Sequence, residues 1–561
     1  MVRDRVVLHA LAASVSAVVL APLARPGYVL SYDMNFVPDQ QLRLDLIAPV
    51  DSLPRAVPLD AAVALADGLV PGWLLQRIVL VAVVWAAVVG AARLTPTTSL
   101  GVKVVAGVAY GWTPFLAERL LIGQWGLLIA YAALPWLVRA ALRVRAAEPG
   151  GLPGLVVAAG LCALTPTGGV IAVAVCAAVL PWRAWARAGP ALLILNAPWL
   201  VAGYVTTAAT GSDPAGATAF AARAENWAGP VVALLGTGGI WNADTTPASR
   251  AWALTPLFTA VLLAFGAAGL RPLWRHDLRR LTTVALGGLL LAAASTTAPG
   301  AAALGRLVQE VPGAGLLRDA QKFVLPYALL LAVCVALGVG RLAARLPSEP
   351  ARVLVAGAAV LIVVALPDLA FGGAGALTPV RYPADWAAVA RLVGERPEPV
   401  LSLPLSQYRR YSWNRDRPVL DPAPRYLPAP VVIDDVLLVG DGTGGTAAIA
   451  GEDRRLAAVR ARLAAGQPVA GADFGWVLVQ HAGDAAAADP RSLAGLSLVH
   501  SGPHLSLYRS DAAVSTPDRR RSLPVVLAEI AALSVLLGAA ATLVPVARIV
   551  RGRRRVRPPI G

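Results

Sequence analysis

Long apolar runs separated by short polar segments recur along almost the whole of this 561-residue chain. A run of about 20 apolar residues is long enough for one helix to cross the hydrocarbon core of a bilayer. The runs are continuous rather than alternating, so they predict membrane helices and not the strands of a barrel. We place about 12 spans, at residues 6–24, 73–93, 99–115, 124–142, 152–166, 168–182, 190–207, 251–270, 281–297, 322–340, 352–371 and 523–548.

The segment "LTPTGG" (164–169) leaves one part of this assignment open. It is rich in turn-forming residues, so it predicts either a tight turn between two short spans or a break within one span.

Composition agrees with a polytopic membrane protein, because 57% of the residues are hydrophobic and 15% are charged. The net charge of +16 does not indicate nucleic-acid binding, since the arginines cluster in short loops on one side of the spans. That distribution is typical of cytoplasmic loops. We expect the basic tail to face anionic lipid headgroups in the cytoplasm; its arginines are Arg551, Arg553, Arg554, Arg555 and Arg557.

An even number of spans with this orientation places both termini in the cytoplasm and the long loops outside the plasma membrane. The predicted outer loops cover residues 25–72 (the first loop), 208–250 and 298–321.

The largest outer segment, 372–521, predicts a small mixed α/β extracytoplasmic domain. Strand-like stretches at 399–408, 475–482 and 496–510 alternate with helix-like stretches at 382–395 and 452–466. The chain is therefore divided into a transmembrane module (1–371), this domain (372–521), and a final span with the basic tail (522–561).

Polar residues next to two of the spans are the first candidates for a functional site. Asp33 lies in "LSYDMNFVPDQ" (30–40), a position that also fits a solvated loop residue or a helix cap. Glu118, Arg119 and Gln124 lie in "YGWTPFLAERLLIGQWG" (110–126), where a local ion pair is the simpler interpretation. The density of polar and aromatic groups in that connector favours a site, because polar residues at a membrane boundary are costly without a partner or a use.

The stretch PF-x-x-x-R-x-x-x-GQWG (114–126) resembles the GT-C membrane glycosyltransferases, in particular the actinobacterial arabinofuranosyltransferase group. The layout is similar too, with an acidic residue after the first span, another after the third, about 12 helices, and a soluble domain near the C-terminus. The resemblance implies a polyprenyl-phosphate sugar donor and a cell-envelope glycan acceptor.

This resemblance implies catalytic roles for Asp33 and Glu118. Asp33 would be the general base that accepts a proton from the acceptor hydroxyl. Glu118 would orient the acceptor, or hold a divalent ion together with Asp33; magnesium, manganese or calcium suits carboxylate ligands. Asp434 and Asp435 in "VIDD" (432–435) are an acidic doublet that we rank below Asp33.

The leaving lipid phosphate needs cations, and Arg318 and Lys322 are spaced to share one helix face. Cations that snorkel at a helix start, with Asp319 as partner, are an equal alternative. Trp241 and Asn242 suit sugar faces and hydroxyls, although the interfacial aromatic belt is the interpretation we favour. The expected substrate-binding residues are Arg119, Gln124, Trp241, Asn242, Arg318 and Lys322.

The sequence thus predicts an inverting membrane glycosyltransferase that moves a sugar, arabinofuranose or mannose, from polyprenyl phosphate to an envelope glycan. Two alternatives stay open at this point. One is a transporter or flippase of lipid-linked saccharides, and the other is a non-catalytic membrane scaffold that presents its outer domain.

Overall fold

The structure is a computed structural model. It describes residues 2–543, apart from 51, 53, 207–212, 441–445, 450, 452, 483–488, 512–513 and 515–518. The basic C-terminal tail lies outside the described residues. The architecture is mostly helical, with a smaller mixed sheet near the C-terminal end.

Ten helices occupy the part of the chain up to Val205. They are α1 (Val2–Val19), α2 (Leu44–Ile47), α3 (Leu59–Asp67), α4 (Gly72–Leu94), α5 (Leu100–Gly111), α6 (Pro114–Leu121), α7 (Trp125–Arg145), α8 (Gly151–Cys162), α9 (Pro166–Val179) and α10 (Trp185–Val205). Local sequence sets several of their starts. Thr113 caps α6 by accepting the Leu116 amide at 3.1 Å, with Pro114 at the first helical position.

The next eight helices follow up to Ala374. They are α11 (Ala215–Ala219), α12 (Gly229–Leu235), α13 (Thr255–Leu273), α14 (Leu281–Ser295), α15 (Ala298–Glu310), α16 (Leu325–Ala343), α17 (Ser348–Val364) and α18 (Ala370–Ala374). Helix α16 is central, and α13 packs closely along it. A Cβ on Gly338 would lie 1.8 Å from the Phe265 carbonyl oxygen, so glycine is required for this approach.

Within the described residues, eight helices are long and apolar enough to cross a membrane, or nine if the bent pair at 348–364 and 367–374 is one span. The chain is therefore a multi-pass membrane protein, but the expected number of about 12 spans is not confirmed. Three of the expected spans, at α1, α8 and α9, are not among the helices that are long and apolar enough to cross a membrane. Helix α1 carries three charges in its first residues, and "LTPTGG" separates the short helices α8 and α9, with Thr165 capping the second.

A mixed five-stranded sheet forms the core of the region between 384 and 509, here called the sheet domain, in the order β4-β1-β7-β9-β8. Strands β1, β4, β7 and β8 run in the same direction, and β9 lies antiparallel between β7 and β8, while β2–β3 and β5–β6 are hairpins. The strands are β1 (Val400–Leu403), β2 (Tyr408–Arg410), β3 (Pro418–Leu420), β4 (Val431–Val432), β5 (Leu437–Gly440), β6 (Thr446–Ile449), β7 (Trp476–Gln480), β8 (Ser497–Ser501) and β9 (Leu505–Arg509).

Helices α19 (Ala384–Glu395), α20 (Ala423–Tyr426) and α21 (Arg454–Ala464) complete the sheet domain, and α22 (Leu523–Leu543) follows it. Apolar side chains cover both faces of the sheet, with Val400 in one cluster and Leu401 in the other. This alternation is the period-2 pattern of a strand that is buried on both sides.

The first loop is joined to the sheet domain by backbone pairing. Tyr28 and Val380 exchange hydrogen bonds, and Tyr32 pairs with the backbone of Pro418 and Leu420 in β3. The turn that carries Asp33 therefore lies where the helices, the first loop and the sheet domain meet.

Candidate functional site

Asp33 lies in a tight turn, in which Ser31 and Met34 exchange backbone hydrogen bonds of 3.1 and 2.8 Å. The Asp33 amide donates to the Ile122 carbonyl at 3.1 Å, just after α6. Gly123 makes this contact possible. Its φ is +77°, and a Cβ there would lie 2.2 Å from the Met34 nitrogen and the Ser31 oxygen.

The Asp33 carboxylate accepts two side-chain hydrogen bonds from separate parts of the fold. The Tyr408 hydroxyl donates to Oδ1 at 2.5 Å, and Gln124 Nε2 donates to Oδ2 at 3.3 Å. Burial and the neighbouring Asp33 charge raise the pKa of Tyr408 well above its ordinary value of 10.0, so the hydroxyl stays protonated as a donor.

A cavity of about 220 Å³ opens beside Asp33, between the first loop, the end of α6, and strands β2, β3 and β5. The cavity wall is mainly polar and aromatic on one side and aliphatic on the other. Its lining residues are Tyr32, Asp33, Ile122, Trp241, Asn242, Asp244, Tyr408, Arg409, Arg410, Pro418, Leu437, Leu438, Val439 and Gly440.

Trp241 and Asn242, two of the expected substrate-binding residues, lie on this wall. Trp241 packs edge-on against Phe220, with 4.8 Å between ring centroids. Asn242 Oδ1 accepts the Asp244 amide at 3.1 Å, and the Tyr32 hydroxyl donates to Asp244 at 3.3 Å. These contacts fix a polar and aromatic surface opposite Asp33.

Arg119 is fully buried beneath the cavity and does not line it. Its guanidinium binds both Asp319 oxygens, at 3.1 and 3.2 Å, and donates to Gln124 Oε1 at 2.6 Å and to Gln321 Oε1. Burial acts to raise the pKa of Asp319, but the charges of Arg119 and Lys322 outweigh it and lower that pKa. Arg119 therefore supports Gln124, and through it Asp33.

Glu118 is also fully buried and lies outside the cavity lining. Its Oε2 accepts from Gln321 Nε2 at 3.3 Å, and its carboxyl group lies beside that of Glu225, close to Gly238. Arg250 binds Glu225 through two bonds of 2.9 and 2.7 Å, so Glu225 is paired with a buried cation.

Arg318 and Lys322 lie near the cavity but not on its wall. The Arg318 guanidinium stands over the Phe220 ring at 5.2 Å, on the same ring that contacts Trp241. Lys322 pairs with Asp319 at 3.3 Å and keeps a quarter of its side chain exposed.

Five polar or aromatic lining residues did not belong to the predicted set: Tyr32, Asp244, Tyr408, Arg409 and Arg410. Arg410 approaches Asp244 at 4.0 Å. A carboxylate, aromatic rings and guanidinium groups around one cavity form a surface suited to a sugar and an anionic group. Across the part of the chain that the structure describes, no cluster of three or more His, Cys, Asp or Glu residues is placed to hold a metal ion.

The fold is that of a multi-helix membrane protein with a mixed sheet near its C-terminal end. Its structure is similar to the cryo-EM structure of arabinofuranosyltransferase AftD from Mycobacteria, with a TM-score of 0.56, 16% identity and 92% of this chain covered. Two classes of a mutant of that enzyme give TM-scores of 0.57 and 0.52 at 17% identity. The match covers 40% of the AftD chain, or 42% of the mutant chains.

No protein-family model matches this sequence, and no curated protein matches it. At this level of identity, the structural likeness establishes the fold.

Proposed function

We propose that this chain is a membrane glycosyltransferase. It moves one sugar from a polyprenyl phosphate to a cell-envelope glycan outside the plasma membrane. Arabinofuranose is the first choice of sugar and mannose the second, because the similar structure is that of an arabinofuranosyltransferase. The observation that carries the proposal is the position of Asp33 on the wall of a polar cavity between the helices and the sheet domain.

In the proposed reaction, Asp33 accepts the proton of an acceptor hydroxyl while the acceptor oxygen bonds to the anomeric carbon of the donor. The bond from that carbon to the phosphate oxygen breaks, polyprenyl phosphate leaves, and the anomeric configuration inverts. Tyr32 and Trp241 offer ring faces to the sugar, and Asn242 offers an amide to its hydroxyls.

Arg318 and Lys322 are the proposed cations for the lipid phosphate, since Arg318 stands over Phe220, the ring that contacts Trp241, and Lys322 stays partly exposed. Arg119 holds Gln124, and Gln124 holds the Asp33 carboxylate. Glu118, the residue before Arg119, is a buried acidic residue that does not line the cavity. If a divalent cation takes part, Asp33 and Asp244 are the carboxylates on the cavity wall that would bind it.

We also propose a topology that matches this chemistry. The transmembrane module (1–371) and the last helix with its tail (522–561) place both termini in the cytoplasm. The segment 372–521 lies outside the plasma membrane. In this arrangement α1, α8 and α9 enter the bilayer as well, which restores a total of about 12 spans.

The test is transfer of labelled sugar in membranes supplied with polyprenyl-phosphoryl arabinofuranose or, separately, polyprenyl-phosphoryl mannose. We expect Asp33→Asn and Asp33→Ala to abolish transfer with either active donor. Asp39→Asn is the matched control, because Asp39 is an exposed carboxylate of the same loop. Unchanged transfer in Asp33→Asn would remove Asp33 as the base, and movement of the lipid-linked sugar without bond cleavage would favour a flippase.

A further inference from the structure

The hydrogen bond from Tyr408 to Asp33 joins residues that are 375 positions apart in the chain. Tyr408 belongs to the sheet domain, whereas Asp33 belongs to the first loop. A bond of 2.5 Å between a hydroxyl donor and a carboxylate is within the range of strong charge-assisted hydrogen bonds. The candidate base is therefore completed by a part of the fold that sequence reasoning treated as a separate domain.

Backbone pairing holds both partners of this bond in place. In the β2–β3 hairpin, Tyr408 is paired with Leu420. The Leu420 amide donates to the Tyr32 carbonyl at 2.9 Å, and the Tyr32 amide donates to the Pro418 carbonyl at 2.6 Å. Asp33 follows Tyr32 directly, so a continuous run of hydrogen-bonded backbone sets the distance between the hydroxyl and the carboxylate.

The bond also bears on the chemistry of a general base. Tyr408 occupies Asp33 Oδ1 and Gln124 occupies Oδ2, so the carboxylate is held in one orientation towards the cavity.

We infer that Tyr408 is a positioning residue for Asp33, and that the site is complete only when the sheet domain is docked on the first loop. The inference rests on the proposed function. It extends that function by making the sheet domain part of the reaction centre rather than a device for binding the acceptor alone.

The experiment compares Tyr408→Phe with Tyr382→Phe in the full-length protein. Tyr382 is a matched control, because its hydroxyl also links this part of the chain to the first loop, by donating to the Phe36 carbonyl at 3.1 Å. The values of kcat and KM for transfer from labelled polyprenyl-phosphoryl arabinofuranose and from polyprenyl-phosphoryl mannose are measured with wild type, both variants and Asp33→Asn.

We expect Tyr408→Phe to lower kcat/KM by about ten- to a hundredfold, the effect of losing one hydrogen bond to a charged group. The loss should fall mainly on kcat. The KM for the donor should stay near its wild-type value, because the bond orients the Asp33 carboxylate and does not hold the donor. Tyr382→Phe should keep the wild-type kcat and KM.

Two results would overturn the inference: a Tyr408→Phe enzyme with wild-type kcat/KM, or one whose loss falls on KM while kcat stays at the wild-type value. The second result would mean that Tyr408 contacts the substrate and does not position the base. Failure of the proposed function is a separate outcome, since Asp33→Asn would then keep its transfer activity, or wild type would transfer neither sugar.

Discussion

The buried ion pair between Glu225 and Arg250 gives the sharpest test of the buried polar residues around Glu118. The side chains of Glu225 and Arg250 are 1% and 4% exposed, so solvent can replace almost none of their contacts. Glu225 accepts two bonds from Arg250, at 2.9 and 2.7 Å, and one from the Gly239 amide at 2.8 Å. Removing the charge of Glu225 leaves Arg250 as an uncompensated buried cation.

We expect Glu225→Gln to lower the free energy of unfolding by about 3–5 kcal/mol, the cost of breaking a buried pair from one side. Glu118→Gln is the matched control, because its amide can still hydrogen-bond to Glu225 and Gln321; its cost should stay below about 1.5 kcal/mol. The paired change Glu225→Leu with Arg250→Met should recover most of the loss, since neither charge is then buried.

The assay is thermal and denaturant unfolding of the purified protein in detergent, followed by tryptophan fluorescence. Burial acts to raise the pKa of Glu225, but Arg250, Glu118 and the Gly239 amide outweigh it and hold that pKa below the ordinary 4.5. A carboxyl group whose pKa is lowered by folding stabilises the protein above its unfolded pKa, and this stabilisation is lost as the pH falls through the folded value.

The melting temperature of wild type should therefore fall below about pH 4, and that of Glu225→Gln should fall less over the same range. This account of the buried pair would be refuted if Glu225→Gln and Glu118→Gln lowered the free energy of unfolding equally. It would also be refuted if the melting temperatures of wild type and Glu225→Gln fell identically as the pH is lowered.

Three further predictions concern other parts of the site. Gly123→Ala should lower both the melting temperature and sugar transfer, because the new methyl group would meet the backbone of the Asp33 turn. Asp421→Asn should destabilise the sheet domain by about 3–5 kcal/mol, measured by limited proteolysis, because Arg409 lies 2.8 Å from it in a pair with no exposed side-chain surface. Lys322→Met should lower kcat/KM for the lipid donor, and an unaltered kcat/KM would remove Lys322 from the phosphate site.

Local pattern was sufficient for most of the sheet domain. The predicted stretches 382–395 and 452–466 contain α19 and α21, and 399–408, 475–482 and 496–510 contain β1, β7, β8 and β9 but not β4. Helix and strand periodicity depends on neighbours a few positions away, so the sequence carries it directly. The number of membrane-crossing helices was harder to predict, because α1 begins with charged residues and a turn divides α8 from α9 into two short helices.

The partners of the candidate site depend on tertiary structure. The sequence singled out Asp33, Glu118 and Arg119, but it suggested a local ion pair for the last two. In the folded chain, Arg119 instead binds Asp319, 200 positions away, and Glu118 lies beside Glu225 beneath the cavity.

By itself, the sequence determined that this is a many-helix membrane protein with a sheet domain and an acidic residue after its first helix. It also carried a short motif that indicated the GT-C fold. Tertiary structure alone decided that Tyr408 reaches Asp33 and that Asp244, not Glu118, shares the cavity wall with it. The physical reason is that such contacts join side chains from distant segments, and their distances are fixed by packing and backbone pairing between elements rather than by local pattern.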